Sequence, residues 1–347
     1  MKKEIAEIVC AYYEKNARAL PWRKDKTPYK VWISEIMLQQ TKVETVKSYY
    51  KAFLDAFPDV YALASAKIEE VLKLWEGLGY YSRARNLKKA AERIVSDYQG
   101  EFPKSKEELC SLPGIGEYTG AAVSCFCFEE KEVPIDGNFL RIYARMTNYE
   151  EDVLASEAKK RARDYFLSLL GKAKPSRFME GIMELGETIC VPSSPNCEKC
   201  PLKAFCKAYL NGKQASLPVR KKAVEKRKEK KTVVILKQNG GLFYEKREDQ
   251  GILASLYGFP LIEGHLSRAK LKERLAKEGL EPTSIKNLKP YIHRFSHVEW
   301  DMKAFLIDLP KDHCQKPFLT IEERKKKFAL PSAFLPFEEE IEKEFAR

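Results

Sequence analysis

Four cysteines, Cys190, Cys197, Cys200 and Cys206, are packed into seventeen residues with the spacing Cys-x6-Cys-x2-Cys-x5-Cys. Thiolates this close repel one another unless a positive centre sits among them, so the array predicts a metal site built by a compact loop. Tetrahedral zinc and a four-iron cluster both suit such a loop, and spacing alone does not choose between them. The chain has nine cysteines. The start of the sequence, MKKEIAEIVCAYYEKNARAL, alternates charge with apolar residues instead of forming a signal peptide core, so we expect a cytoplasmic protein with free thiols and no disulfide framework. Cys10, Cys110, Cys125, Cys127 and Cys314 lie outside the array and read as buried or partly buried thiols, Cys125 and Cys127 above all, since their segment is apolar.

The array closes a long helical stretch. From residue 1 to about 211 apolar residues recur at helical spacing, as in Ile5, Ile8, Val9 and Tyr12, and an apolar helix holds Val71, Leu72, Leu74, Trp75 and Leu78. Residues 212–231 lack that periodicity, and seven of the eleven positions from Lys221 to Lys231 are basic, which reads as a linker. Beyond it come short β-rich runs, Thr232–Leu236, Gly241–Tyr244 and Met302–Ile307, with a helix over about Ser267 to Gly279, so residues 232–347 read as an α+β domain. A chain of 347 residues suits two such cores. No stretch reads as a membrane span. The net charge of +12 suits a polyanionic partner, though solubility alone accounts for it equally well. Lys199, Lys203 and Lys207 surround the cysteines and would present cations to phosphate.

Two further segments carry chemistry. In Leu112-Pro-Gly-Ile-Gly-Glu-Tyr-Thr-Gly-Ala-Ala-Val123, Gly114 and Gly116 separate a polar helix from a small-residue apolar one, the pattern of a helix-hairpin-helix. Glycine lets backbone N–H groups approach a phosphate, and the following helix N-terminus adds favourable dipole charge. In Val133-Pro-Ile-Asp-Gly-Asn-Phe-Leu-Arg141, Asp136 stands before a helix over Phe139 to Ala144, as an N-cap or as a carboxylate available for chemistry.

Together with these segments, Leu20-Pro-Trp-Arg23, Val31-Trp-Ile-Ser-Glu-Ile-Met-Leu-Gln-Gln-Thr41 and Trp75-Glu-Gly-Leu-Gly-Tyr-Tyr-Ser-Arg83 resemble the MutY-type adenine glycosylases of the endonuclease III superfamily. The likeness is close over residues 18–206 and weaker afterwards, where Leu253 to Pro260 and His293-Arg-Phe-Ser-His297 resemble parts of that family's lesion-recognition domain. It implies a multidomain chain: an all-α helix-hairpin-helix glycosylase domain over 1–211 with a [4Fe-4S] loop, then an α+β Nudix-like domain over 232–347. The implied substrate is double-stranded DNA carrying adenine opposite 8-oxoguanine or G, the base being flipped out for excision. A monomer is implied, with replication or repair proteins as candidate partners.

Residue by residue, the resemblance makes Glu35 and Asp136 the catalytic pair, a protonated acid that lets adenine leave neutral and an ionised stabiliser of the oxocarbenium ion. Helical spacing alone would put Glu35 on a solvated face. Tyr118 and Asn138 carry over as transition-state and orienting groups. Arg18, Trp22, Arg23, Leu38, Val43, Glu180 and Met183 would surround the extruded base, with Gln40, Thr41 and Tyr80 holding or wedging the opened duplex. Phe295, Ser296 and His297 resemble the loop that senses 8-oxoguanine. Endonuclease III-like lyases place a lysine nucleophile where this chain has Tyr118, which implies a monofunctional enzyme. A bifunctional lyase and a non-catalytic lesion binder are the alternatives. No Arg-Glu-x-x-Glu-Glu run follows Gly258, so the magnesium-binding acids of a Nudix hydrolase are missing, and Tyr257 and Gly258 stand where the family has tryptophan and an acid.

Overall fold

The computed structural model describes residues 2–221, 226–311 and 313–345. The chain divides into two compact units, residues 1–65 with 86–222 and residues 66–85 with 223–347. Among the described residues no helix is long and apolar enough to cross a membrane.

The first unit is helical throughout. Its central helix, Pro28–Leu38, starts on a proline with Thr27 as N-cap, the hydroxyl accepting from Lys30 N at 3.3 Å. Tyr29 and every residue from Val31 to Met37 are buried, so this helix has no solvated face. The hairpin forms where expected. Ser105 caps Lys106–Cys110, Gly114 turns the chain at φ +75°, and Gly116 caps Glu117–Phe128. A Cβ at Gly114 would lie 2.5 Å from Asn86 Cβ, and one at Gly120 would lie 2.7 Å from Cys110 Sγ, so glycine sets how closely both approaches are made. Helices Gly137–Thr147 and Pro175–Thr188 complete the walls around the site.

The second unit is built on a mixed sheet of seven strands: β1 Arg227–Gln238, β2 Gly241–Phe243, β5 Leu261–Glu263, β6 Ser284–Asn287, β7 Tyr291–Arg294, β8 Val298–Asp308 and β9 Phe318–Leu319. A small pair, β3 Glu245–Lys246 and β4 Tyr257–Gly258, lies apart from it. The order is β6-β8-β1-β2-β9, with β5 on β1 and β7 on β8, and the central β1 and β8 run parallel from Arg227↔Val298 to Lys237↔Asp308. Both faces are buried. Val233, Ile235, Trp300 and Met302 pack with Phe334, Phe337 and Ile341, while Val234, Leu236, Phe305 and Ile307 pack with Leu271 and Leu275 of helix Arg268–Lys277. The strand begins inside the basic run read as linker, at Arg227. Pairing with β8 orders that backbone while Arg227, Lys228 and Lys230 stay solvated, and Lys231 is buried over Trp300 with Glu229 2.9 Å away.

Candidate active site

Helices Pro28–Leu38, Glu117–Phe128, Gly137–Thr147 and Pro175–Thr188, with the segment around Trp22, enclose a cavity of about 240 Å³. That is below the roughly 300–1,000 Å³ of drug-sized pockets and suits a single base. Glu35, Tyr118, Asp136 and Asn138 line it, as do Arg18, Trp22, Arg23, Leu38, Thr41, Val43, Glu180 and Met183. Gln40 is exposed beside it, in the left-handed region at φ 57°, where the helix ends after Leu38. Gly114 and Gly116 do not line the cavity; they form the hairpin turn.

Burial decides the chemistry of Glu35. The residue is 5% exposed, and desolvation raises its carboxyl to about 7, partly opposed by a hydrogen bond that Tyr118 Oη donates to Oε2 at 2.7 Å. The negative charges of Asp136 and Glu180 add to the rise. Asp136 is both N-cap and cavity residue. Its Oδ1 accepts from the backbone N–H of Asn138 at 2.8 Å and of Phe139 at 2.9 Å, and its Oδ2 accepts from Asn138 Nδ2 at 3.0 Å. Burial raises this carboxyl too, while those backbone donors pull it back. Asn138 is fully engaged, since Nδ2 also donates to Glu187 at 2.8 Å and Oδ1 accepts from Arg141 at 2.6 Å. One wall of the cavity therefore carries a carboxyl that burial holds near neutrality, and the Asp136 carboxyl is surrounded by donors, so the two sit in different environments.

The four array cysteines ring a second, small pocket with Arg145 and Gln214. Arg145 is 1% exposed; it donates to Cys190 Sγ at 3.3 Å and to the carbonyls of Val191, Pro192 and Leu217 at 2.8, 3.1 and 3.0 Å, tying the loop to helix Gly137–Thr147. Arg141 Nε reaches the Cys190 carbonyl at 2.6 Å, so one guanidinium joins the cysteine loop to Asn138. Among the described residues no group of His, Cys, Asp or Glu converges as ligands of a single metal ion.

The second unit holds a separate pocket of about 510 Å³, lined by Tyr80, Tyr81, Arg85, Leu253, Phe295, Ser296 and His297 among others. Phe295 packs edge-on against His293 and Trp300, with centroids 4.5 and 4.8 Å apart. Tyr80 is 44% exposed.

Residues 33–166 match the model of the HhH-GPD superfamily of base excision DNA repair proteins, and residues 231–339 match that of the NUDIX domain. The chain is 35% identical over 289 residues to the adenine DNA glycosylase of Buchnera aphidicola, covering 83% of this chain and 81% of that protein. It belongs to the adenine DNA glycosylase family. The family's mouse member is 31% identical, with 86% of this chain and 69% of that protein covered. Among solved structures, a thermostable thymine-DNA glycosylase aligns at TM-score 0.55 and 28% identity, covering 60% of this chain and 97% of that one. An endonuclease III–DNA complex aligns at TM-score 0.51 and 21% identity, covering 61% and 98%, which shares the helical fold.

Beyond the residues carried over from the family, the cavity is lined by Lys26, Lys42, Ser34 and Glu187, and Glu184 lies behind it. Glu184 is fully buried; Arg18 Nε donates to it at 2.8 Å and Arg23 pairs with it at 2.8 Å. Burial acts to raise this carboxyl, yet the two arginines hold it below its usual range. Lys26 Nζ donates to Glu180 at 2.6 Å. The signal was the spacing of Glu180, Glu184 and Glu187 at i, i+4 and i+7, an acidic stripe along one helix in an otherwise basic chain. The departure from the family pattern at Gly258 also has a cause. A Cβ there would lie 2.4 Å from the Phe334 ring, so no acidic side chain fits, and Tyr257 stacks on Phe328 at 4.1 Å between centroids.

Proposed function

We propose that this chain is a monofunctional glycosylase that hydrolyses the N-glycosidic bond of adenine opposite 8-oxoguanine or G in duplex DNA. The observation that carries this is the pair formed by Glu35, buried beside Tyr118 with a carboxyl near neutrality, and Asp136, held by three N–H donors on the facing wall. Tyr118 occupies Oε2 of Glu35 and leaves Oε1 to carry the proton. Transfer of that proton to N7 of adenine lets the C1′–N9 bond break with its electron pair leaving on a neutral base. The sugar is left as an oxocarbenium ion, which Asp136 stabilises as an anion; water then bonds to C1′ and gives up one proton to the Glu35 carboxylate, leaving an abasic site. Arg18 and Arg23, fixed by Glu184, and Lys26, fixed by Glu180, frame the base.

Opposite the excised base, we assign 8-oxoguanine to the pocket of Phe295, Ser296 and His297, whose hydroxyl and imidazole reach a polar lesion edge; Tyr80 on its rim fills the gap left by flipping. The helix-hairpin-helix turn at Gly114 and Gly116 takes the phosphate backbone. Four soft sulfurs around one pocket, with Arg145 donating to Cys190 Sγ, fit a [4Fe-4S] cluster, which would fix the 190–206 loop and its lysines as a docking surface.

The test is a substrate panel under single-turnover conditions: A opposite 8-oxoguanine, A opposite G, T opposite G, and an oxidised pyrimidine. Alkali-dependent cleavage at adenine, fastest opposite 8-oxoguanine and without borohydride trapping, is expected. Preference for thymine or the pyrimidine, or covalent trapping, refutes the assignment.

A further inference from the structure

Residues 66–85 belong to the stretch that matches the glycosylase superfamily, yet they pack as part of the second unit. Among the contacts that hold them is a part-buried one at Glu76. Glu76 Oε1 accepts from Arg324 Nη1 at 3.2 Å and from the backbone N–H of Leu330 at 2.8 Å. Arg324 is 2% exposed and also grips Glu338, its Nε donating to Oε2 at 3.0 Å, and Tyr244 Oη donates to the same oxygen at 2.7 Å. Arg324 thus stays paired whether or not Glu76 carries charge.

Immediately after Glu76 the chain makes a loop of unusual backbone: Gly77 at φ 98°, Gly79 at φ 70° and Tyr80 at φ 48°. A tyrosine in the left-handed region costs about 1 kcal/mol or more and persists only when its surroundings over-determine it. The far end is fixed by Arg83, which donates to the carbonyls of Leu78 and Gly79 at 3.1 Å and lies over the Tyr80 ring at 5.6 Å. Trp75 Nε1 adds a bond to the Gly79 carbonyl at 3.1 Å. The near end is fixed by Glu76. Tyr80, so presented, shares one pocket with Phe295, Ser296 and His297.

From this we infer that Glu76, clamped by Arg324 and the Leu330 amide, is a positioning residue that sets Tyr80 against the lesion loop and so gives the enzyme its preference for the base opposite adenine. The inference rests on the function proposed above. It requires no part in bond breaking: neither Glu76 nor Arg324 lines the adenine cavity.

The experiment is a cycle of Glu76→Gln, Tyr80→Ala and the double variant in the full chain, read as single-turnover excision of A opposite 8-oxoguanine and A opposite G. Loss of one charged hydrogen-bonding partner corresponds to about a tenfold fall in the ratio of the two rates. We expect Glu76→Gln to lower that ratio with excision opposite G unchanged, and to have no further effect once Tyr80 is alanine. A ratio that stays at the wild-type value, or two effects that simply add, overturns the inference. Wild-type enzyme that fails to excise adenine overturns the proposed function instead, so the two failures are distinct.

Discussion

Replacing Tyr118 by phenylalanine removes the hydrogen bond that its hydroxyl donates to Glu35 and leaves the ring in place. That bond favours the ionised carboxylate and opposes the effect of burial, which carries Glu35 to about 7. A hydrogen bond to a charged group contributes roughly 1.5–3 kcal/mol, and each pKa unit corresponds to about 1.4 kcal/mol, so the variant's carboxyl should rise by about one to two units. If protonated Glu35 gives its proton to adenine, the wild-type rate falls as pH rises through about 7. In Tyr118→Phe the same fall should come about one unit or more higher, whatever happens to the maximal rate. The assay is single-turnover excision from pH 5 to 9 on one duplex, with amplitude and limb position fitted separately. A limb that stays at the wild-type position, or moves to lower pH, rules out Glu35 as the titrating acid that Tyr118 holds down.

The same burial links Glu35 to stability. Its folded carboxyl, near 7, lies above the unfolded value of 4.5, so the folded state binds the extra proton and stability falls as pH rises from about 4.5 to about 7. Relative to Glu35→Gln, denaturant titrations should show a loss of roughly 3 kcal/mol across that window and none below it. Glu184→Ala leaves Arg18 and Arg23 without their shared buried partner and should cost about 3 kcal/mol in the same titration. Gly181→Ala drives a Cβ to 2.6 Å from Val9 Cγ1 and 3.0 Å from the Val9 carbonyl, so thermal melts should show a loss of about 1–3 kcal/mol; an unchanged melting point would mean that the two helices separate freely. Cys197→Ala should lower the iron content and visible absorbance of purified protein, and retention of both would remove Cys197 from the ligand set.

Short-range features of this fold were legible in the sequence. The Gly114 turn and the Asp136 cap are each settled within a few residues, by backbone conformation or by a local hydrogen bond. Glu35 was not legible from periodicity, which placed it on a solvated face. Its helix is buried on every side, so no such face exists, and only the resemblance to the family pointed inward. The start of β1 was misplaced because the side chains of Arg227 to Lys230 look like linker, whereas the order comes from backbone pairing with β8, some seventy residues away. The clamp between Glu76 and Arg324 joins positions 248 apart, and no local pattern marks either residue.

In the proposed reaction a protonated Glu35 and an ionised Asp136 together remove adenine. Chromatographic detection of the free base, released in one turnover from a duplex with A opposite 8-oxoguanine, tests it most directly when wild type is compared with Asp136→Asn. Asparagine caps a helix about as well as aspartate, so the variant keeps the two backbone bonds of the cap and loses the charge together with the bond from Asn138 Nδ2. Stoichiometric adenine from the wild type and at least about a hundredfold slower release from the variant is the expected result. Equal release from both would remove Asp136 from the reaction, and none from the wild type would rule out adenine as the base excised.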